Sequence, residues 1–415
     1  MSFSRLESVQ HEIRRHYRAL RAIRTRKALE RSALWAEIGG EVTRVLEGVE
    51  RGDRAPAPAP GPRARKVRAV AWNIQRGARL DALRGAVATP PFADADLFLL
   101  SEVDVGLGRS GNRNVARELA EALGMSYAFG VSYLALTDDL GDDAAGVENT
   151  LALSGAAVIS RYPIGRVENV DLPELRNKFH SSEKRLGKKR ALLAEIALPD
   201  GPLVVAACHL DSNASPAQRA RQLGGVLDSV DRSGATRALV GGDFNTSTYD
   251  LSSTFALARD LAHKLFVTGF RATIAQYLTP EKHYERPVFD LLRARDFAVE
   301  GFNDRALGTY FYDLTDPYVL AQSQKHVGRP LTRLLARLLR PWNGCVPARL
   351  DWFAGRNLTP VAATVERPPT AADGRPLSDH AAVVVDVAVQ DAAPETNAIE
   401  RGQPDRRPAS TTGST

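Results

Sequence analysis

Ala238-Leu239-Val240-Gly241-Gly242-Asp243-Phe244-Asn245 is an apolar run that breaks into a glycine pair and then into a carboxylate and an amide. Residues two apart at a strand end face one way, so Asp243 and Asn245 can address one phosphate. A single strand end of this kind is more often an ordinary turn than a site. Its company decides the reading.

Three other strand-like runs end in chemically useful groups: Val67–Trp72 in Asn73, Leu97–Ser101 in Glu102, and Leu203–Cys208 in His209. Asp351 follows in Arg349-Leu350-Asp351-Trp352-Phe353, and Ser378-Asp379-His380 opens the strand-like run Ala381–Val387. Alone, Glu102 reads as a plain strand-end carboxylate and Ser378-Asp379-His380 as a polar turn.

In order, WNIQRG, LLSEV, CHLDS, GDFN, RLDWF and SDH, from about Val67 to about Val387, resemble the motifs of the endonuclease/exonuclease/phosphatase superfamily. Pancreatic-type deoxyribonucleases, abasic-site endonucleases, inositol polyphosphate 5-phosphatases and bacterial sphingomyelinases belong to it. The resemblance implies an α/β (α+β) fold, a four-layer sandwich of two packed mixed β-sheets flanked by helices.

Phosphate-ester hydrolysis needs shielding of the phosphoryl charge, a nucleophilic water and stabilisation of the leaving oxygen. Hard oxygen ligands suit Mg²⁺, with Mn²⁺ as the substitute. The resemblance implies Glu102 as first metal ligand, supported by Asn73 from the next strand and by Asp379. By two-residue spacing Asp104 could join Glu102. Asp243 would orient or deprotonate the attacking water, and Asn245 would donate amide hydrogens to the phosphate. Asp351 and His380 resemble the family's aspartate–histidine dyad, the carboxylate holding an imidazolium against the phosphoryl group. His209 is similar to the family's second histidine. The loop 176–190 carries seven Lys/Arg against one Glu; Lys184, Arg185, Lys188 and Arg190 are the candidates there for gripping phosphate, with a solvated loop as the bland alternative.

Along the chain, residues 1–52 are expected to form a helical N-terminal extension, with one stripe at Leu6, Val9, Ile13, Tyr17, Leu20 and Ile23 and another at Leu34, Ile38, Val42, Val45 and Val49. These helices would either mediate self-association or pack on the catalytic domain. Residues 53–66 read as a Pro/Ala-rich linker, 67–390 as the catalytic domain with an insertion at about 250–345, and 391–415 as a disordered tail. Helices are expected over Asn114–Leu123 and over Pro216–Val230, the second capped by Ser215.

The net charge is +6. Residues 1–66 hold 15 Lys/Arg and 8 Asp/Glu, leaving the remainder at about −1. Charge therefore does not support a nucleic-acid partner for the catalytic part. Two cysteines exclude a disulfide framework, and no apolar run is long enough for a membrane span, so a cytoplasmic location is expected. The function expected is a divalent-metal-dependent phosphodiesterase, with nuclease activity one form of it. The alternatives are a phosphomonoesterase for a small metabolite or lipid headgroup, and a non-catalytic binding scaffold.

Overall fold

A computed structural model of the chain describes residues 3–54, 66–138, 146–181, 183–246, 254–315, 319–321, 323–324 and 328–389. The Pro/Ala run from residue 55 and the tail from residue 391 lie outside the described residues. Strands are numbered along the chain: Arg5–Glu7 (β1), Val49–Asp53 (β2), Lys66–Arg76 (β3), Leu97–Val105 (β4), Ser126–Ala135 (β5), Leu153–Ser160 (β6), Ile164–Asp171 (β7), Arg185–Gly187 (β8), Arg190–Leu198 (β9), Gly201–His209 (β10), Ala238–Asp243 (β11), Tyr310–Asp313 (β12), Cys345–Ala348 (β13), Asp351–Arg356 (β14), Leu358–Glu366 (β15) and Ala382–Val389 (β16).

The larger sheet runs β1-β2-β5-β6-β4-β3-β16-β15, with β8 attached to β5. The smaller runs β14-β11-β10-β9-β7, and β12 and β13 form a separate hairpin. Both large sheets are mixed: β3 and β4 are parallel, as are β10 and β11, and their other neighbours are antiparallel.

Period-two alternation builds the layers. On β3, Val67, Ala69 and Ala71 face the space between the sheets, whereas Val70, Trp72 and Ile74 face the outer helices. On β11, Leu239 points between the sheets while Ala238 and Val240 meet the helices behind. The helix Pro216–Arg232 covers that outer face, started by Ser215 in a capping box with Gln218. The helix Val115–Leu123, capped by Asn114, covers the other sheet. Helix, sheet, sheet, helix is the expected sandwich.

The N-terminus departs from expectation. Leu6 and Val49 lie in strands, not helices, and β1 and β2 extend the larger sheet through antiparallel pairing of Val49–Gly52 with β5. Helical spacing picked up Val49 because a short strand abutting a helix continues its periodicity by chance; long-range pairing decides such cases. Of the helices between, Tyr17–Ala22 has six residues and Arg26–Glu30 five, lengths unstable alone, while Ala33–Glu47 has fifteen, a length still marginal alone. Val9, Ile13, Tyr17, Leu20, Leu29, Ile38, Val42 and Val45 are buried in the core of the larger sheet, and roughly 1.5–3 kcal/mol for each large side chain so placed makes packing, not propensity, their support. Most of both apolar stripes is packed within this chain, while Leu6 remains 49% exposed.

Part of the region expected as an insertion is woven into the sandwich. Phe289 and Leu292 of the helix Arg286–Ala294 pack with the helix Pro216–Arg232, Phe302 reaches the inter-sheet core, and Ala298 bridges Gly355 on β14. Arg219 and Glu285, both wholly buried, join the two helices; Arg219 Nε lies 3.1 Å from Glu285 Oε2. The other described residues of that region form a cap around Ile274, Tyr277, Leu314, Leu339, Val346 and Ala348. Cys208 is buried and Cys345 half-buried, both free thiols.

Candidate active site

β10 and β11 pair with His209 opposite Asp243, and β11 and β14 pair with Asp243 opposite Asp351. Three titratable residues thus lie in one row across the smaller sheet. Gly242 permits the row: its φ is +132°, and a Cβ there would stand 2.2 Å from the Cys208 carbonyl oxygen. Only glycine allows so close an approach. The larger sheet brings Asn73 and Glu102 to the same edge on the parallel pair β3 and β4, where ligands of such sheets usually bind.

Asn73 Nδ2 donates to Asp243 Oδ2 at 3.1 Å, and the Asn245 backbone N–H donates to Asp243 Oδ1 at 2.8 Å. Asn245 is not on the strand: its φ is +47°, and its side-chain amide donates to the Leu210 carbonyl at 3.0 Å. A turn, and not strand alternation, therefore brings Asn245 back to Asp243. Burial raises the Asp243 carboxyl, an effect opposed by His380 and reinforced by Asp351.

His380 Nδ1 and Asp351 Oδ2 are 2.8 Å apart. Asp351 is fully buried, and its Oδ1 has no hydrogen-bond partner. Ser378 fastens this segment to β3: its hydroxyl donates to the Asn73 carbonyl at 2.6 Å and accepts the His380 N–H at 3.0 Å. Trp72 Nε1 donates to the His380 carbonyl at 2.9 Å, and the Tyr310 ring lies 5.1 Å from the imidazole. Burial disfavours the imidazolium, but Asp351, Asp243 and the hydrogen bond to Asp351 hold His380 well above its ordinary pKa. For His209 the balance is reversed. Burial, with Lys189 beside it, pushes it down to about 4 against the pull of Asp243 and Glu102. The site thus holds one charged and one neutral histidine, an arrangement that separates donor roles. His209 Nε2 stands 3.5 Å from Asp243 Oδ2 and 4.0 Å from Glu102 Oε1.

Glu102 sits on a β-bulge with φ +53°. Its carboxylate is half-buried and makes only long contacts, 3.6 Å to Arg76 Nε and 4.0 Å to His209. Burial alone would raise it, yet the positive charges of Arg76, Lys189 and His380 hold it far below the usual carboxylate range. The bulge also breaks the two-residue alternation, so Asp104 does not join Glu102. Asp104 is wholly buried, with both oxygens taken by Arg109 at 2.6 and 3.2 Å. Asp379 is exposed at the rim.

A basic cleft adjoins Glu102 and His209, lined by Arg76, Arg109, Arg185, Lys189 and Arg190. Of the four residues expected to grip phosphate, Arg185 and Arg190 reach it. Arg185 pairs with Glu183, and Arg190 with Asp171 at 2.6 Å, Arg190 Nε remaining without a partner. Lys184 turns away to the backbone carbonyls of Arg21 and Ile23, and Lys188 pairs with Asp171 at 2.7 Å. Sequence reasoning passed over Lys189 and Arg76. Burial pushes Lys189 down to about 8 against the pull of Asp211, Asp243 and Glu102, and it forms no ion pair with a described residue. The only signals were its place among three consecutive basic residues, and the position of Arg76 three residues after Asn73.

Two groups could hold a cation. Ligand atoms of Asp243, Asp351 and His380 lie within 4.8 Å of one another, with His380 Nδ1 engaged by Asp351 Oδ2 at 2.8 Å. Glu102, ionised and accepting no hydrogen bond from a described residue, is a hard oxygen ligand of the kind a divalent ion prefers.

No helix among the described residues is long and apolar enough to cross a membrane. No curated protein sequence matches the chain. Similar solved structures include an endonuclease/exonuclease/phosphatase from Beutenbergia cavernae, 20% identical, covering 78% of this chain and 72% of that one with a TM-score of 0.46. Humanized D. rerio TDP2 is 13% identical, covering 78% of this chain and 98% of its own, with a TM-score of 0.41. The human Nocturnin catalytic domain with bound sulfate is 14% identical, covering 78% and 95%, with a TM-score of 0.40. The model of the Endonuclease/Exonuclease/phosphatase family matches residues 70–380. Across that span, well over half its length, this chain belongs to the endonuclease/exonuclease/phosphatase family.

Proposed function

We propose that this protein is a divalent-metal-dependent phosphodiesterase. The observation that carries the reading is the hydrogen-bonded set Asn73–Asp243–Asn245 beside the Asp351–His380 pair, with Glu102 ionised nearby. Glu102 and Asn73 would hold the ion, Mg²⁺ or Mn²⁺, with Asp379 reaching it from the rim. When bound, the ion would supply Lewis-acid shielding of the phosphoryl oxygens.

The chain's own groups account for the rest. Asp243, its two oxygens oriented by Asn73 Nδ2 and the Asn245 N–H, accepts a proton from the water that attacks phosphorus. His380 presents its Nε2–H to a phosphoryl oxygen while Asp351 holds Nδ1, so the charge meeting the transition state is fixed in advance. As the bond from phosphorus to the leaving oxygen breaks, neutral His209 donates a hydrogen bond to that oxygen, which departs and takes up a proton from solvent, without adding a second full charge at the site. Lys189 and Arg76, in the cleft beside Glu102, neutralise the anionic substrate together with Arg185 and Arg190.

The test is hydrolysis of bis-p-nitrophenyl phosphate and p-nitrophenyl phosphate with Mg²⁺, Mn²⁺ or EDTA, for wild type and Asp243→Ala. Diester turnover that needs metal and vanishes in the variant is expected. Monoester preference would make the protein a phosphatase, and no turnover of either by folded protein would favour a binding scaffold.

A further inference from the structure

We propose that the cap docks this protein on an anionic lipid bilayer through the helix Arg329–Leu338. The segment 328–345 contains Arg329, Arg333, Arg337 and Arg340 and no Asp or Glu. All four arginines are exposed, and none forms an ion pair with a described residue. At about 100° per residue, Thr332, Leu335 and Leu339 fall on the side turned to the cap, where Thr332 and Leu339 are buried. Leu331, Leu334 and Leu338 fall in the next arc, roughly 60° wide at the same rotation, and are 42%, 51% and 37% exposed. The arginines follow in the arc beyond. The apolar stripe is thus wider than the face the cap covers.

More apolar surface lies close by. Phe266 and Val267 are 86% and 71% exposed. They precede Phe270, whose ring meets that of Trp342 at 6.0 Å just beyond the helix. Large exposed apolar side chains gathered on one part of a surface mark an interaction site.

Charge complementarity selects the occupant. A helix with leucines beside unpaired arginines lies in a bilayer interface, its apolar stripe among acyl chains and its guanidinium groups among anionic headgroups. Nucleic acid would engage the arginines and leave the leucines in water. A second copy of this segment would set arginine against arginine.

The full-length protein is sedimented with vesicles of phosphatidylcholine alone or mixed with phosphatidylglycerol. Pelleting is expected with the mixed vesicles and is expected to weaken as salt rises. Each basic residue near such a surface is worth roughly fivefold in partitioning, so Arg333→Gln/Arg337→Gln is expected to lose about 25-fold by that measure. Leu334→Ser/Leu338→Ser is expected to lose binding with every charge intact, and both variants should keep the wild-type melting temperature, since the changed side chains are exposed. The proposal is overturned if wild type stays in the supernatant, or if both variants pellet like wild type. It is also overturned if only the arginine variant loses binding, which would mark a general polyanion site, or if the leucine variant abolishes a vesicle-free dimer, which would make the occupant a second copy.

Discussion

Asp351→Asn tests the site most sharply, because it replaces one carboxylate oxygen by an NH2 group, removing the charge while leaving the side chain's shape alone. Asp351 Oδ2 holds His380 Nδ1 at 2.8 Å in full burial. Its charge is the largest of the effects that raise His380 above an ordinary histidine. With that charge gone, burial is less opposed and His380 is expected to be neutral near pH 7. Removing one preorganised donor to a developing oxyanion costs about 10²–10³ in kcat, or about 3–4 kcal/mol of barrier. The assay is kcat for bis-p-nitrophenyl phosphate across pH. In wild type the imidazolium persists below its raised pKa, so activity holds through neutrality and falls as pH rises through that value. In the variant this fall moves to lower pH. Asp351 Oδ1 has no partner, so the variant trades an unpaired acceptor for an unpaired donor, and stability should change by no more than about 1–3 kcal/mol. A folded Asp351→Asn protein with wild-type kcat and an unmoved alkaline fall would refute the dyad.

Three further outcomes follow from the packing. Glu285→Ala strands Arg219, 0% exposed, and should cost about 3–5 kcal/mol in denaturant unfolding, whereas Arg219→Met/Glu285→Leu should recover most of it; equal losses in both would show that the pair's charge is immaterial. His209 has a folded pKa of about 4 against an ordinary 6.5, so it contributes stability that is complete above pH 6.5 and lost as pH falls toward 4, about 3 kcal/mol in all. His209→Gln should lose correspondingly less stability between those pH values, and identical acid slopes would contradict a neutral His209. Gly242→Ala should lower both stability and turnover, since its Cβ would sit 2.2 Å from backbone that cannot rotate away; an unaltered melting temperature would mean that β10 and β11 separate freely.

Read without a structure, the chain discloses its motif order, the alternation on β3 and β11, and the caps at Asn114 and Ser215. Each of these is local: a period of two, or a side chain three residues from the N–H it accepts. Partnership is where that reading stops. Two-residue spacing allowed Asp104 to join Glu102, yet the bulge left Glu102 in the site and buried Asp104 against Arg109. Val49 matched a helical stripe until β5 claimed it as a strand. Lys184 and Lys189 stood in one basic loop, and only the carbonyls of Arg21 and Ile23 drew Lys184 away from the cleft.

Local hydrogen bonding and side-chain period are written in adjacent residues, so the sequence determined the strands that end in chemical groups, such as β3, β4, β10 and β11, and the caps, but not the strand character of β1 and β2. Which groups meet depends on contacts across 170 residues for Asn73 and Asp243, or 305 for Ser378 and Asn73. Burial and neighbouring charge then assign His380 its proton and deny one to His209. Those energies exist only once the sheets have packed, and so the tertiary structure alone decided them.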